Sequence, residues 1–302
     1  MHHWTRRNTM ALALAQALAL ASSLVGLPGT AEAAGFDPAP LARTVQDAES
    51  RLSARVGVSV IDMETGETWQ HKGDERFPTN STFKAFLCAA LLDAGARGIA
   101  DPDRKVTVRK SDIVFYSPVT EERVDGAPVS IRQLCEFAVT ISDNAAANLV
   151  LKEIGGPEAL TAYLRGIGDE VTRADRWEPD SNTGIPGDDR DTTTPNAAAQ
   201  TLKKLVLEET LPPEARKTLT DWLIGDKVGN DTLRAGLPEG WRIADKTGAG
   251  ANGSRNNIAV IWPEGRKPVV IAVYITEAHA SMETRNKAIA EIGKALAESL
   301  QP

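Results

Sequence analysis

Histidine is scarce in this chain: four in 302 residues, with His2 and His3 at the extreme N-terminus. His71 and His279 alone remain in the body of the sequence, too few for an imidazole-built zinc site, and nothing marks either as the base of a Ser-His-Asp relay. No metal or other cofactor is expected. Cysteine is equally sparse, Cys88 and Cys135 only, which leaves room for one disulfide at most. Basic residues are outnumbered, 34 Lys and Arg against 41 Asp and Glu, giving a formal charge of -7 and no basic run. That balance argues against nucleic acid as a partner. Internal repeats and low-complexity segments are absent. Long apolar runs are limited to one, Met10 to Leu27, and Gln16, Ser22, Ser23 and Gly26 interrupt it.

That run follows Arg6 and Arg7 and leads to Ala31, Glu32 and Ala33, small residues in an AxA cleavage pattern. Residues 1–33 therefore read as a secretory signal peptide rather than a stable membrane anchor, because no charged flank follows the apolar stretch. No cysteine near the cleavage point offers a lipid attachment. Thr5, Arg6 and Arg7 hint at twin-arginine export. The mature protein is expected to be exported, to a periplasm or to the outside. In an oxidising compartment a Cys88–Cys135 disulfide is the default expectation, two buried free thiols the alternative. Cys88 lies seven residues after Ser81 and Cys135 seven before Ser142, so a bridge would tie the two serine-bearing elements together and close a loop of about 47 residues, about 4 kcal/mol in the chain-entropy model.

Leu41, Val45 and Leu52 have helical spacing, and Val56, Val58 and Val60 alternate as in a strand. The turn Met63 to Gly66 and then Thr68 to His71 complete a hairpin. Helical segments follow, among them Ser81 to Ala96, Ile131 to Ala138, Asn144 to Ile154, Pro157 to Arg165 and Thr194 to Glu208. Between residues 173 and 194 runs a polar stretch without periodicity, of the kind that is usually functional. Trp241 to Lys246, Asn257 to Trp262 and Val269 to Thr276 read as strands, and Ser281 to Leu300 as a closing amphipathic helix. The fold class is α+β: an antiparallel five-stranded sheet flanked by the terminal helices and interrupted by an all-α insertion. The boundaries place 34–74 and 225–302 in the sheet domain and 75–224, including the loop 173–194, in the helical one. The active site is expected where the two meet.

Four short motifs carry the chemistry. Ser81 is followed at the third position by Lys84, which on a helix lies over the same face and offers a base for the hydroxyl. Burial beside other cations would lower the Lys84 pKa. Ser142 can relay a proton and Asn144 can hold a substrate amide, although Ser142, Asp143 and Asn144 are equally good helix-capping residues. Glu178 and Asn182, four residues apart in the polar loop, suit a clamp around one water. Arg176 and Asp191 are placed to pair across the neck of that loop. Lys246, Thr247 and Gly248 close a strand with a cation and a hydroxyl suited to a substrate carboxylate.

SxxK, SDN and KTG in this order are the signature of class A β-lactamases and penicillin-binding proteins. From about Phe36 onward the chain resembles class A serine β-lactamases, the segment Arg176 to Asp180 (RWEPD) and the later DDRDTTTP being specific matches. The resemblance implies a β-lactam as the small-molecule substrate, resistance to such antibiotics, and a monomer. It implies Ser81 as nucleophile, with proton transfer through Lys84, Ser142 and Glu178 and deacylation by a water that Glu178 and Asn182 activate. The oxyanion would form against the amides of Ser81 and Ala249. Lys246, Thr247 and Arg255 would hold the substrate carboxylate, Asn144 its acylamido group, and Tyr116 would form a pocket wall. Neither Asn80 nor Gly250 is a cysteine, so the extra disulfide of carbapenem-hydrolysing members is impossible. Ala249 lacks the hydroxyl that broad-spectrum members carry there, which favours penicillins. The alternatives are a penicillin-binding D,D-peptidase or a β-lactam sensor domain; Glu178 and Asn182 argue against both.

Overall fold

The computed structural model describes residues 35–300; the signal-peptide expectation falls outside them. Helix α1 (Ala39–Leu52) buries Leu41, Val45, Ala48 and Leu52, three or four residues apart on one stripe. It stops at Ser53, whose left-handed backbone returns its amide to the carbonyls of Glu49 and Ser50. Strands β1 (Arg55–Asp62) and β2 (Thr68–His71) form the hairpin, with Val58 opposite His71 and Ile61 opposite Thr68. A two-residue strand β3 (Phe77–Pro78) leads through a 3-10 turn, Asn80–Thr82, into α2 (Phe83–Ala96). The α-helix thus starts two residues after Ser81, which sits in the turn itself.

Residues Phe83 to Leu92 of α2 are all buried, as expected of a helix surrounded by others. The short strands β4 (Lys105–Val106) and β5 (Val129–Ser130) pair ahead of α3 (Ile131–Thr140), which Ser130 and Gln133 cap reciprocally. Then follow α4 (Asn144–Ile154) and α5 (Pro157–Gly166). Strand β6 (Thr192–Thr193), paired with β3, precedes α6 (Pro195–Leu207). Helix α7 (Pro213–Ile224) lies outside the segments read from the sequence, although Ala215, Leu219, Trp222 and Leu223 are buried at helical spacing. A single turn, α8 (Leu233–Gly236), leads to the last three strands.

Strands β7 (Arg242–Ala249), β8 (Arg255–Trp262) and β9 (Val269–Thr276) complete an antiparallel sheet of order β2-β1-β9-β8-β7, closed off by α9 (Met282–Ser299). On one face Val56, Val58, Val60, Ile271, Val273 and Ile275 pack with the apolar stripes of α1 and α9. On the other, Ile61, Val260, Val270, Ala272 and Tyr274 belong to the core that contains α2 and α6. Because both faces are covered, β1 is buried from Val56 to Asp62 rather than on alternate residues.

One sequence expectation is corrected. Lys246, Thr247 and Gly248 do not end a strand: β7 continues to Ala249, with Thr247 opposite Asn257 and Ala249 opposite Arg255. Gly248 stays in the strand because backbone packs against it. A Cβ there would stand 3.1 Å from Thr79 O and 3.2 Å from Ser81 N. Among the described residues, no helix is long and apolar enough to cross a membrane.

Candidate active site

The site is assembled from four segments that meet around Ser81: the turn into α2, the α3–α4 connection, the polar loop and β7. Lys84, one turn further along, donates from Nζ to Ser81 Oγ at 3.0 Å and to the Ser142 carbonyl at 2.8 Å. It also donates to Asn144 Oδ1 and stands 3.5 Å from Ser142 Oγ. Glu178 Oε1 lies 3.2 Å from the same ammonium, and both side chains are fully buried. Burial lowers the Lys84 pKa, against the charge and hydrogen bonding of Glu178 and the charge of Asp143. The lowering by burial is as expected from the sequence, but the neighbouring charges that act on Lys84 are carboxylates rather than the expected cations.

Ser142 lies between α3 and α4 with a left-handed backbone, φ 66°. Such a conformation costs of order 1–3 kcal/mol for a non-glycine residue, and here it belongs to a side chain placed between two ammoniums. Lys246 Nζ donates to Ser142 Oγ at 3.2 Å and to Thr247 O at 3.0 Å. Burial, assisted by Lys84, brings the Lys246 pKa down to about 8, while Asp226 holds it up. The two readings of the Ser142 to Asn144 triplet both apply. Asp143 is structural: it caps α4 at Ala146 N, 2.9 Å, and accepts from the amides of Val119 and Thr120. Asn144 points into the site and, through Nδ2 to Phe115 O at 2.8 Å, fixes the segment that presents Tyr116.

The polar loop is held at three places. At its neck Arg176 Nε donates to Asp191 Oδ2 at 2.6 Å, the pairing expected from the sequence, and Asp191 Oδ1 accepts from the amides of Asp175 and Arg176. Asn148 of α4 grips the backbone of Glu178 on both sides, accepting from its amide at 2.9 Å and donating to its carbonyl at 2.8 Å. Ala251 N donates to Asn182 O at 2.9 Å, joining the loop to the turn after β7. Asn182 Nδ2 donates to Glu178 Oε2. Asn256 Nδ2 donates to Asn80 Oδ1 at 3.0 Å, and Asn80 Nδ2 reaches toward Asn182 Oδ1 at 3.5 Å.

Ser81, Ser142, Asn144, Thr247, Ala249 and Arg255 line a cleft of about 620 Å³, whose edge carries Phe115, Tyr116 and Met282. Arg255 is fixed by Asn286 Oδ1, which accepts from its Nε at 2.7 Å. All eleven predicted site residues thus fall in or directly behind one cleft. Sequence reasoning missed Asn148, Asn256 and Asn286, because a single asparagine on a helix or strand carries no motif; it read Asn80 only as a non-cysteine. Cys88 and Cys135 form the disulfide, with a Cα separation of 5.6 Å, and it joins α2 to α3.

The arrangement combines a serine hydrogen-bonded to a buried lysine, a buried carboxylate and nearby cations around one concave surface. Residues 40–300 match the model of a β-lactamase enzyme family. β-Lactamase AER-1 of Aeromonas hydrophila is 48% identical over 267 residues, 88% of each chain. β-Lactamase PSE-4 of Pseudomonas aeruginosa is 45% identical over 252 residues, 83% of this chain and 87% of the relative. Among solved structures, an ancestral class A β-lactamase superposes with a TM-score of 0.83 at 52% identity, covering 85% of this chain and 99% of that one. The chromosome-encoded β-lactamase of Vibrio parahaemolyticus gives 0.83 at 44%, over 85% and 98%. The chain belongs to the class A β-lactamases.

Proposed function

We propose that the protein hydrolyses the β-lactam amide of penicillin-type antibiotics through an acyl-enzyme on Ser81, and so confers resistance to them. Ser81 Oγ attacks the lactam carbonyl, and its proton leaves by way of Lys84 or Glu178, both within the same buried cluster. The oxyanion is stabilised by the amides of Ser81 and Ala249. As the C–N bond breaks, Ser142, hydrogen-bonded to Lys246 and close to Lys84, delivers a proton to the leaving nitrogen. Lys246, Thr247 and Arg255 receive the substrate carboxylate. Asn144 retains a second N–H for the acylamido group, since only one is spent on Phe115 O. Tyr116, half-exposed at the edge of the cleft, forms its wall.

Deacylation falls to Glu178. Asn182 fixes its Oε2, whereas Oε1 faces the Lys84 ammonium at 3.2 Å and is the oxygen that takes a proton from water. The observation that carries the proposal is this second carboxylate, 3.2 Å from Lys84 Nζ and buried with it beside the nucleophile. A peptidase or sensor that keeps its acyl group has no use for it. The same reading makes the protein an exported monomer without nucleic-acid partners, with 34–74 and 225–302 as its sheet domain and 75–224 as its helical one.

Glu178→Ala tests the role. It should acylate and then stall, leaving a covalent penicilloyl adduct in the intact mass, while Ser81→Ala should form none. Rapid turnover by Glu178→Ala would overturn the assignment.

A further inference from the structure

Behind Lys246 lies a second pair of carboxylates that no catalytic step above employs. Asp245 is wholly buried in β7 and Asp226, just after α7, is 4% exposed. Their outer oxygens are engaged: Asp245 Oδ1 accepts from Arg234 Nε at 2.7 Å, and Asp226 Oδ1 from Val228 N at 2.9 Å. The two remaining oxygens, Asp245 Oδ2 and Asp226 Oδ2, have no hydrogen-bond partner among the described residues. Both point into one small space. A Cβ on Gly229 would stand 2.5 Å from the first and 2.8 Å from the second, so both oxygens border the space that glycine leaves open.

Two buried carboxylates that face each other do not both ionise. Burial raises both, and the charge of Asp226 adds to the rise of Asp245. The groups around them are unequal. Arg234 serves Asp245, with Asn257 of β8 alongside. Asp226 is acted on by Lys246, Arg234 and Arg255, and in turn is the strongest charge acting on both Lys246 and Arg255. The other charges on those two cations are Lys84 and Asp245 on Lys246, and Arg285, Asp245 and Asp231 on Arg255.

We propose that Asp245 and Asp226 share one proton across Gly229, carried by Asp245 Oδ2 and donated to Asp226 Oδ2, and that the negative charge left on Asp226 keeps Lys246 protonated. Asp226 is then a positioning residue: it touches no substrate and acts through the cation that does. The inference rests on Lys246 and Arg255 receiving the substrate carboxylate as proposed above. Because the proton sits with Asp245, the two carboxylates are not equivalent. Asp245→Asn preserves the anion that acts on Lys246, whereas Asp226→Asn moves it to Asp245, beside Arg234.

The test compares these variants in the full-length mature protein. In the wild type the alkaline fall of kcat/KM for a penicillin should lie near pH 8. Asp226→Asn should move it down by about one unit and raise KM about five-fold at pH 8, with kcat at neutral pH within a few-fold of wild type. Asp245→Asn should leave the fall in place. An unmoved fall in Asp226→Asn, or an equal move in both variants, would overturn the positioning role. Should Asp226→Asn not fold, the wild type decides by carbon-13 NMR of the aspartate carboxyls at pH 7. One buried carboxyl should be protonated, and two ionised ones would overturn the shared proton. Absence of penicillin turnover by the wild type would instead remove the functional proposal and leave the NMR result standing by itself.

Discussion

Lys246 makes the consequences of burial measurable at a single residue. Its side chain is sealed from solvent, and the cost of keeping a charge there brings its pKa to about 8. Carboxylate binding that depends on the ammonium should hold below that pH and weaken above it, so KM for a penicillin should rise from pH 7 to pH 9, as steady-state kinetics would register. Stability should respond with the opposite sign. The folded pKa lies below the unfolded value near 10.4, so between about pH 8 and 10 the unfolded chain binds the extra proton and this lysine's contribution to stability increases as pH rises. A KM independent of pH over this range would count against Lys246 as an anchor. Ser81, Lys84, Ser142, Glu178 and Lys246 were legible because each lies in a motif with a chemical rationale. Asn148 and the Asp226–Asp245 pair were not, since their roles depend on which backbone they face, a property of tertiary packing that no local spacing records.

Among the elements, the loop between α5 and β6 carries the most consequence, because it places Glu178 with only one 3-10 turn, Asp180–Asn182, of regular structure. Its geometry depends on the Asp191 carboxylate, which accepts from two amides and one guanidinium. Asp191→Asn keeps the shape but removes the charge. We expect slower turnover and faster proteolysis within residues 173–194, and unchanged values of both would refute the dependence. The disulfide acts elsewhere, between α2 and α3, and replacing both cysteines by serine should cost about 2–4 kcal/mol in urea unfolding with little effect on KM. Element types were readable from periodicity and caps; Asn144 to Ile154 and Val269 to Thr276 were placed to the residue. Ends failed where long-range contact decides them. β7 runs through Gly248 to Ala249 because β8 pairs with it and the Ser81 turn packs against it.

At the level of the whole molecule, a sheet covered on both faces fixes the site between β7, the start of α2 and the loop at Glu178. The terminal helices cover one face and leave the other to the helical part, so the junction exists wherever the chain folds at all. The sheet and its flanking helices were foreseeable from strands of buried character and the two amphipathic termini. The depth of the cleft and the burial of Lys84 with Glu178 were not, because they depend on how far the helical part closes over the sheet. The central claim is that this junction hydrolyses β-lactams and does not merely bind them. Mixing the mature protein with a penicillin and a chromogenic cephalosporin, with absorbance and intact mass followed together, tests it most directly. Many turnovers per molecule with no lasting adduct are expected; a stoichiometric covalent adduct without turnover would contradict it.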